Sequence, residues 1–301
     1  GCHDGCMTRS GNGLRLTCSV NPACSREGYS RIQPTLEKKN IMVVGGGVAG
    51  LEFARIAAQR GHKVRIYEKT GQLMGHLNEA SVPDFKDDLK RLITWYKRQI
   101  AKVDVEIVYD TQIDTTQVEA ENPDMVVVAT GSTFRLPNVQ GVEKNNVVTC
   151  CELLNGQKTA QGDVAVIGGG LEGSETALWL AKQGFKVTVV EMQSDIIVGA
   201  SLCRCNATML RGLLAQNGVL LVTSAKLAQI TADGIVVVDG NKDLLTIPCA
   251  TVVMATGVCA NGELYNTLIG KRPHVYCIGD CKQPRKIHDA IFEGWFLGIN
   301  V

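Results

Sequence analysis

A chain of 301 residues is long enough for about two domains. With 45% hydrophobic and 20% charged residues it has an ordinary globular balance, and a net charge of +1 gives no electrostatic case for nucleic acid or an anionic membrane surface. No apolar run approaches the ~18 residues of a membrane span, and the polar N-terminus does not read as a secretory signal, so neither a nucleic-acid nor a membrane partner is expected.

Residues 1–34 show no strand or helix period. Within them Cys2, Cys6 and Cys18 are spaced Cys-x3-Cys-x11-Cys and followed by Asn21-Pro22. A loop can aim several thiolates at one iron–sulfur cube, with zinc as the competing metal. Cys24 reads as an ordinary cysteine and His3 as a loop residue. The twelve cysteines do not suggest a disulfide scaffold in a chain of alternating strand and helix patterns, so a reducing, cytoplasmic location is expected. Position 1 is not Met and the first residues already lie in a cysteine motif; the chain is expected to be the C-terminal part of something longer.

After Pro34, the run Ile41–Val44 reads as a buried strand, and Gly45, Gly47 and Gly50 follow as G-x-G-x-x-G. A helix with Leu51, Phe53, Ala54, Ile56 and Ala57 ends at Gly61, and a second strand from Lys63 to Tyr67 leads to Glu68 and Lys69. This is the order of a dinucleotide-binding unit. The first glycine makes the turn, the second admits a pyrophosphate, the third lets helix pack on strand, and the acid accepts from a ribose. A glycine-punctuated loop through Gly75 and His76 follows. Residues 84–101 predict an amphipathic helix with Phe85, Leu89, Leu92, Ile93, Tyr96 and Ile100 on one face. Val105–Tyr109 reads as a short strand, and the buried run from Met125 ends in Ala129-Thr130-Gly131.

The pattern then recurs. Gly168, Gly170, Gly173 and Glu191 each stand 123 positions after Gly45, Gly47, Gly50 and Glu68, and a second Ala-Thr-Gly ends at Gly257. A repeat with its internal spacing intact points to two nucleotide-binding domains. Short strands are expected at Val219–Val222, Leu227–Ile230 and Ile235–Val238. A late strand ends in Gly279-Asp280 before a helix over 287–299.

The paired glycine fingerprints, the two Ala-Thr-Gly strands and Gly279-Asp280 resemble the flavoprotein disulfide reductase superfamily. That resemblance implies an α/β fold of two Rossmann-like dinucleotide-binding domains, the second inserted in the first. It assigns Gly45, Gly47, Gly50, Glu68, Lys69, Ala129, Thr130, Gly131, Gly279, Asp280 and Ile287 to FAD, and Gly168, Gly170, Gly173, Glu191 and Gly257 to the nicotinamide cofactor. The boundaries it suggests are an iron–sulfur segment at 1–35, an FAD domain at 36–158 and 262–301, and an NAD(H) domain at 159–261.

The cysteine segment, GCHDGCMTR with LTCSVNPAC, narrows the resemblance to the old yellow enzyme-related iron–sulfur flavoenzymes, the group of 2,4-dienoyl-CoA reductase, trimethylamine dehydrogenase and the enoate and bile-acid oxidoreductases. It implies that Cys2, Cys6 and Cys18 bind a [4Fe–4S] cluster whose remaining ligand lies outside the chain, and that an N-terminal TIM-barrel half carrying FMN is the partner. Hydride would pass from NADH to FAD, and electrons through the cluster to FMN, which reduces an enoate- or enone-type substrate. No catalytic residue is assigned, because hydride transfer needs no general acid or base. Glu191, with no arginine in the residues after it, favours NADH over NADPH. The superfamily's redox-active Cys-x2-Cys or Cys-x4-Cys is missing from its expected place, and Cys150-Cys151 and Cys203-Arg-Cys205 read as structural. A glutamate synthase small-subunit-like electron-entry module and a non-catalytic, ADP-holding scaffold of an amine dehydrogenase are the alternatives. A homo-oligomer is compatible with all of these.

Overall fold

The computed structural model describes residues 2–28, 30–198 and 203–301. They form two compact units. The first comprises 1–78, 88–133 and 259–301, and the second 79–87 and 134–258.

The first unit is built on a parallel sheet of five strands in the order Val275–Cys277, Met125–Val128, Asn40–Val44, Lys63–Tyr67, Val105–Val108. The central strands are apolar on both faces because helices cover both, which is why they read as continuous runs rather than alternations. Helix Val48–Arg60 buries Leu51, Phe53, Ala54 and Ala57 on one side of this sheet. It ends at Gly61, whose φ of 99° is the left-handed conformation that stops a helix. The last helix, Ile287–Asn300, lies directly against it. Gly294 and Gly298 permit that approach: a Cβ at Gly294 would stand 2.5 Å from the Ala49 carbonyl oxygen, and one at Gly298 would stand 2.8 Å from Ile56 Cβ.

The second unit repeats the plan. Its parallel sheet runs Val147–Thr149, Thr251–Met254, Val164–Ile167, Val187–Val190, Leu220–Val222. Helix Leu171–Lys182 follows its glycine loop. An antiparallel sheet of Lys226–Ile230, Gly234–Val238 and Leu244–Pro248 completes it.

Three sequence readings change here. Residues 134–158 belong to the second unit, where they supply the edge strand Val147–Thr149 and helix Cys150–Leu154. The amphipathic helix begins at Asp87, after a 3-10 turn at Asp84–Lys86. Leu89, Leu92, Ile93, Tyr96 and Ile100 pack on the first core as expected, but Phe85 lies before the helix and packs on the core of the second unit. Two further helices, Thr115–Glu121 and Arg204–Gln216, had no assignment from periodicity.

Candidate functional site

Each glycine loop is held by the same contacts. Gly45 has φ 111°, and a Cβ there would lie 2.2 Å from the carbonyl oxygen of Ala129; Gly168 has φ 106° and meets the Ala255 oxygen at 2.3 Å. The first glycine of each loop is thus pressed against its own Ala-Thr-Gly strand end. The third glycine is pressed against the first: a Cβ at Gly50 would be 2.1 Å from the Gly45 oxygen, and one at Gly173 would be 1.9 Å from the Gly168 oxygen. The second glycine differs. Nothing lies within 4 Å of a Cβ built at Gly47 or at Gly170. Both residues are helix N-caps with no side-chain cap, so the positive helix end opens onto free space. An uncapped helix start with a glycine facing it is the donor set and the room that a diphosphate requires.

The acids at the ends of the second strands are buried, Glu68 at 6% exposure and Glu191 at 9%. One oxygen of Glu68 accepts from Gly46 N at 2.8 Å, and the other accepts from Thr70 N and Thr70 Oγ1 at 2.9 Å each. Glu191 accepts from Gly169 N at 2.6 Å and Gln193 N at 2.7 Å. Both carboxylates therefore tie the glycine loop to the next strand's end. A carboxylate oxygen carries two acceptor sites, so this leaves capacity for a hydroxyl. Lys69 is exposed. His76 sits near Ser132, its Nε2 3.1 Å from the Ser132 carbonyl oxygen.

The first unit gathers the remaining predicted residues around this loop. Thr130 Oγ1 donates to the Asn261 carbonyl at 2.6 Å, and Asn261 N donates to the Gly131 carbonyl at 3.0 Å. Gly279 turns the chain with φ 71° and packs against helix Val48–Arg60, where a Cβ would meet Ala49 Cβ at 2.8 Å. Asp280 accepts from Arg285 N at 3.1 Å and from Ser132 Oγ at 3.4 Å. Glu293 anchors this turn, accepting from Gly279 N at 2.7 Å, Arg285 at 2.5 Å and Lys282 at 3.2 Å. Sequence reasoning missed Glu293, a half-buried acid six residues into the last helix that no local pattern marks. Ile287 begins that helix half-buried, and the Asp289 carboxylate accepts from Lys286 N at 3.2 Å, so part of the helix's positive end is already met by an acid. Gly257 turns with φ 87° after the second Ala-Thr-Gly strand.

The cysteine segment folds back on itself. Thr17 N and Oγ1 both donate to the Gly5 carbonyl, at 2.8 and 3.0 Å, and Gly5 N donates to Ser19 Oγ at 3.2 Å. Cys2 Sγ lies 3.4 Å from that same Ser19 oxygen. A Cβ at Gly5 would strike Ser19 N at 2.8 Å. Gly5, between Cys2 and Cys6, is thus pinned to the two residues flanking Cys18, which draws the three sulfur-bearing stretches together. Lys286 Nζ, at the start of the last helix, reaches Asp4 at 2.7 Å and joins this segment to the Gly279–Asp280 region.

The duplicated loop with its buried acid and Ala-Thr-Gly partner matches the pyridine nucleotide-disulphide oxidoreductase family over residues 25–93 and 39–294. The chain belongs to that family. The family implies binding of FAD and of a nicotinamide nucleotide. Over its whole length the chain is 38% identical to cinnamate reductase of Clostridium sporogenes, covering 45% of that protein. It is 38% identical to NADH oxidase of Thermoanaerobacter brockii, with 98% of this chain and 46% of the relative covered. The solved structure of a 2-naphthoyl-CoA reductase complex superposes with a TM-score of 0.94 at 31% identity, over 100% of this chain and 46% of that one. The resemblance to the old yellow enzyme-related flavoenzymes is borne out by these relatives, and the chain spans just under half of their length. Among the described residues no helix is long and apolar enough to cross a membrane.

Proposed function

We propose that this chain is the electron-entry part of a longer NADH-dependent reductase. When bound, the cofactors supply the redox chemistry: a hydride from NADH to FAD, then single electrons through a [4Fe–4S] cluster toward FMN. The residues present fit those groups. Gly45, Gly47 and Gly50 would receive the FAD diphosphate on the open start of helix Val48–Arg60, with Glu68 accepting from the ribose. Lys69, Ala129, Thr130, Gly131, Gly279, Asp280 and Ile287 would border the rest of the flavin nucleotide. Gly168, Gly170, Gly173, Glu191 and Gly257 would serve NADH in the second unit. Cys2, Cys6 and Cys18 would ligate the cluster, an arrangement supported by the Gly5 pinch. An N-terminal TIM-barrel partner carrying FMN would hold the substrate, of the unsaturated-acid type that the name cinnamate reductase denotes.

The observation that carries this reading is the pair of second glycines. No protein atom within 4 Å requires Gly47 or Gly170 to lack a side chain, whereas a nucleotide diphosphate does. The preference for NADH follows from Glu191, whose carboxylate would repel a 2′-phosphate. The test is anaerobic titration of the FAD-loaded chain with each nucleotide. NADH is expected to bleach the flavin absorbance faster than NADPH. The reverse order would overturn the NADH assignment, and a chain that takes up ADP but not FAD would leave only a scaffold.

A further inference from the structure

Cys277 closes strand Val275–Cys277, and Cys281 stands in the short 3-10 turn Gly279–Cys281. Gly279, with φ 71°, reverses the chain between them and brings the two sulfurs to 3.2 Å. Bond formation needs a separation of ~2.05 Å, an approach of about 1 Å. Cys281 is 3% exposed, whereas Cys277 is half-buried and gives a small oxidant its route in. The Val128 and Ile278 carbonyl oxygens, at 3.1 and 3.0 Å, accept the S–H of protonated Cys281. The two thiols titrate as a pair: the hydrogen bond between them, aided by Thr130 and the Gly131 backbone, lowers Cys281 against the opposing effect of burial, while the same bond and burial push Cys277 up.

We propose that Cys277 and Cys281 are an oxidisable dithiol, which hydroperoxides convert to a disulfide across the Gly279–Asp280 turn. One thiolate sulfur attacks the peroxide O–O bond, giving a sulfenic acid and, after protonation, the first water or alcohol. The second sulfur displaces the sulfenic hydroxyl, which leaves as water while its own proton is released. The S–S bond forms as the O–O and S–O bonds break; two thiols are oxidised and one peroxide is reduced. A dithiol reductant reverses the step by exchange.

Trypsin leaves both cysteines on one peptide, 272–282, but cuts between Cys203 and Cys205 at Arg204, so the Cys203–Cys205 pair gives a different product. The full chain is treated with graded hydrogen peroxide, quenched with iodoacetamide under denaturing conditions, digested and weighed. Peptide 272–282 is expected to become lighter by two hydrogen atoms, to lose both alkyl labels, and to recover them after dithiothreitol. Cys277→Ser and Cys281→Ser are each expected to abolish the bridged form. Should Cys281→Ser fail to fold, Cys277→Ser carries the comparison. Peptide 272–282 recovered doubly alkylated at peroxide levels that oxidise the exposed Cys205, or found as a sulfinic acid without a bridge, overturns the proposal.

Discussion

Gly47 and Gly50 stand in one motif but need to be glycine for different reasons. A methyl group on Gly50 runs into the Gly45 carbonyl oxygen at 2.1 Å; one on Gly47 meets nothing within 4 Å. Gly50→Ala is therefore expected to destabilise the first unit by about 1–3 kcal/mol, as overpacking against backbone does. Gly47→Ala is expected to change stability by no more than about 1 kcal/mol, the scale of an N-cap change, yet to lose FAD. A thermal melt read beside the flavin content of the purified protein separates the two; equal stability losses would mean that Gly47 is structural. Both glycines were legible in the sequence because spacing encodes them. The difference between them was not, because it depends on which atoms lie opposite in space.

The Gly279–Asp280 turn and the last helix meet at Glu293. Burial alone would raise its pKa, but Arg285, the Gly279 N–H and Lys282 outweigh it and hold the carboxyl below its ordinary value of 4.5. A depressed folded-state pKa means stability that is present above the unfolded value and lost as pH falls through the folded one. Glu293→Gln is accordingly expected to cost about 1.5–3 kcal/mol at neutral pH, where the charge-assisted hydrogen bonds are made. In urea melts that difference should shrink as pH is lowered below about 4.5. A penalty that stays constant down to pH 3 would show that shape, not charge, holds the turn. The late strand and helix were expected from the sequence. Glu293 itself was missed, since its partners lie 8 to 14 positions away and no period marks it.

At the scale of the molecule, the chain leaves the first unit earlier, and more often, than its motifs imply. Residues 79–87 fall between elements of the first unit, yet they cluster with the second. Asp84 pairs with Lys182, Lys86 pairs with Glu175, and Lys182 lies 5.6 Å over the Phe85 ring. Phe85→Ala is expected to lower the stability of the second unit by about 1–3 kcal/mol, less than a full core deletion because Phe85 is only partly buried. Hydrogen exchange should show the loss in helix Leu171–Lys182. Loss confined to helix Asp87–Ile100 would return Phe85 to the face on which the sequence pattern placed it.

The sequence by itself determined the duplicated dinucleotide fold, because glycine spacing, strand hydrophobicity and the terminal acid are local and recur 123 residues apart. It also located Gly279-Asp280 and the cysteine segment. Tertiary structure alone decided where one unit yields to the other, since an amphipathic face does not say which core it will meet. It decided that Glu68 and Glu191 brace the glycine loops, because the parallel register brings Gly46 N and Gly169 N to their carboxylates. It also placed Cys277 against Cys281: three residues separate them in the chain, but only the reversal at Gly279 makes their sulfurs neighbours.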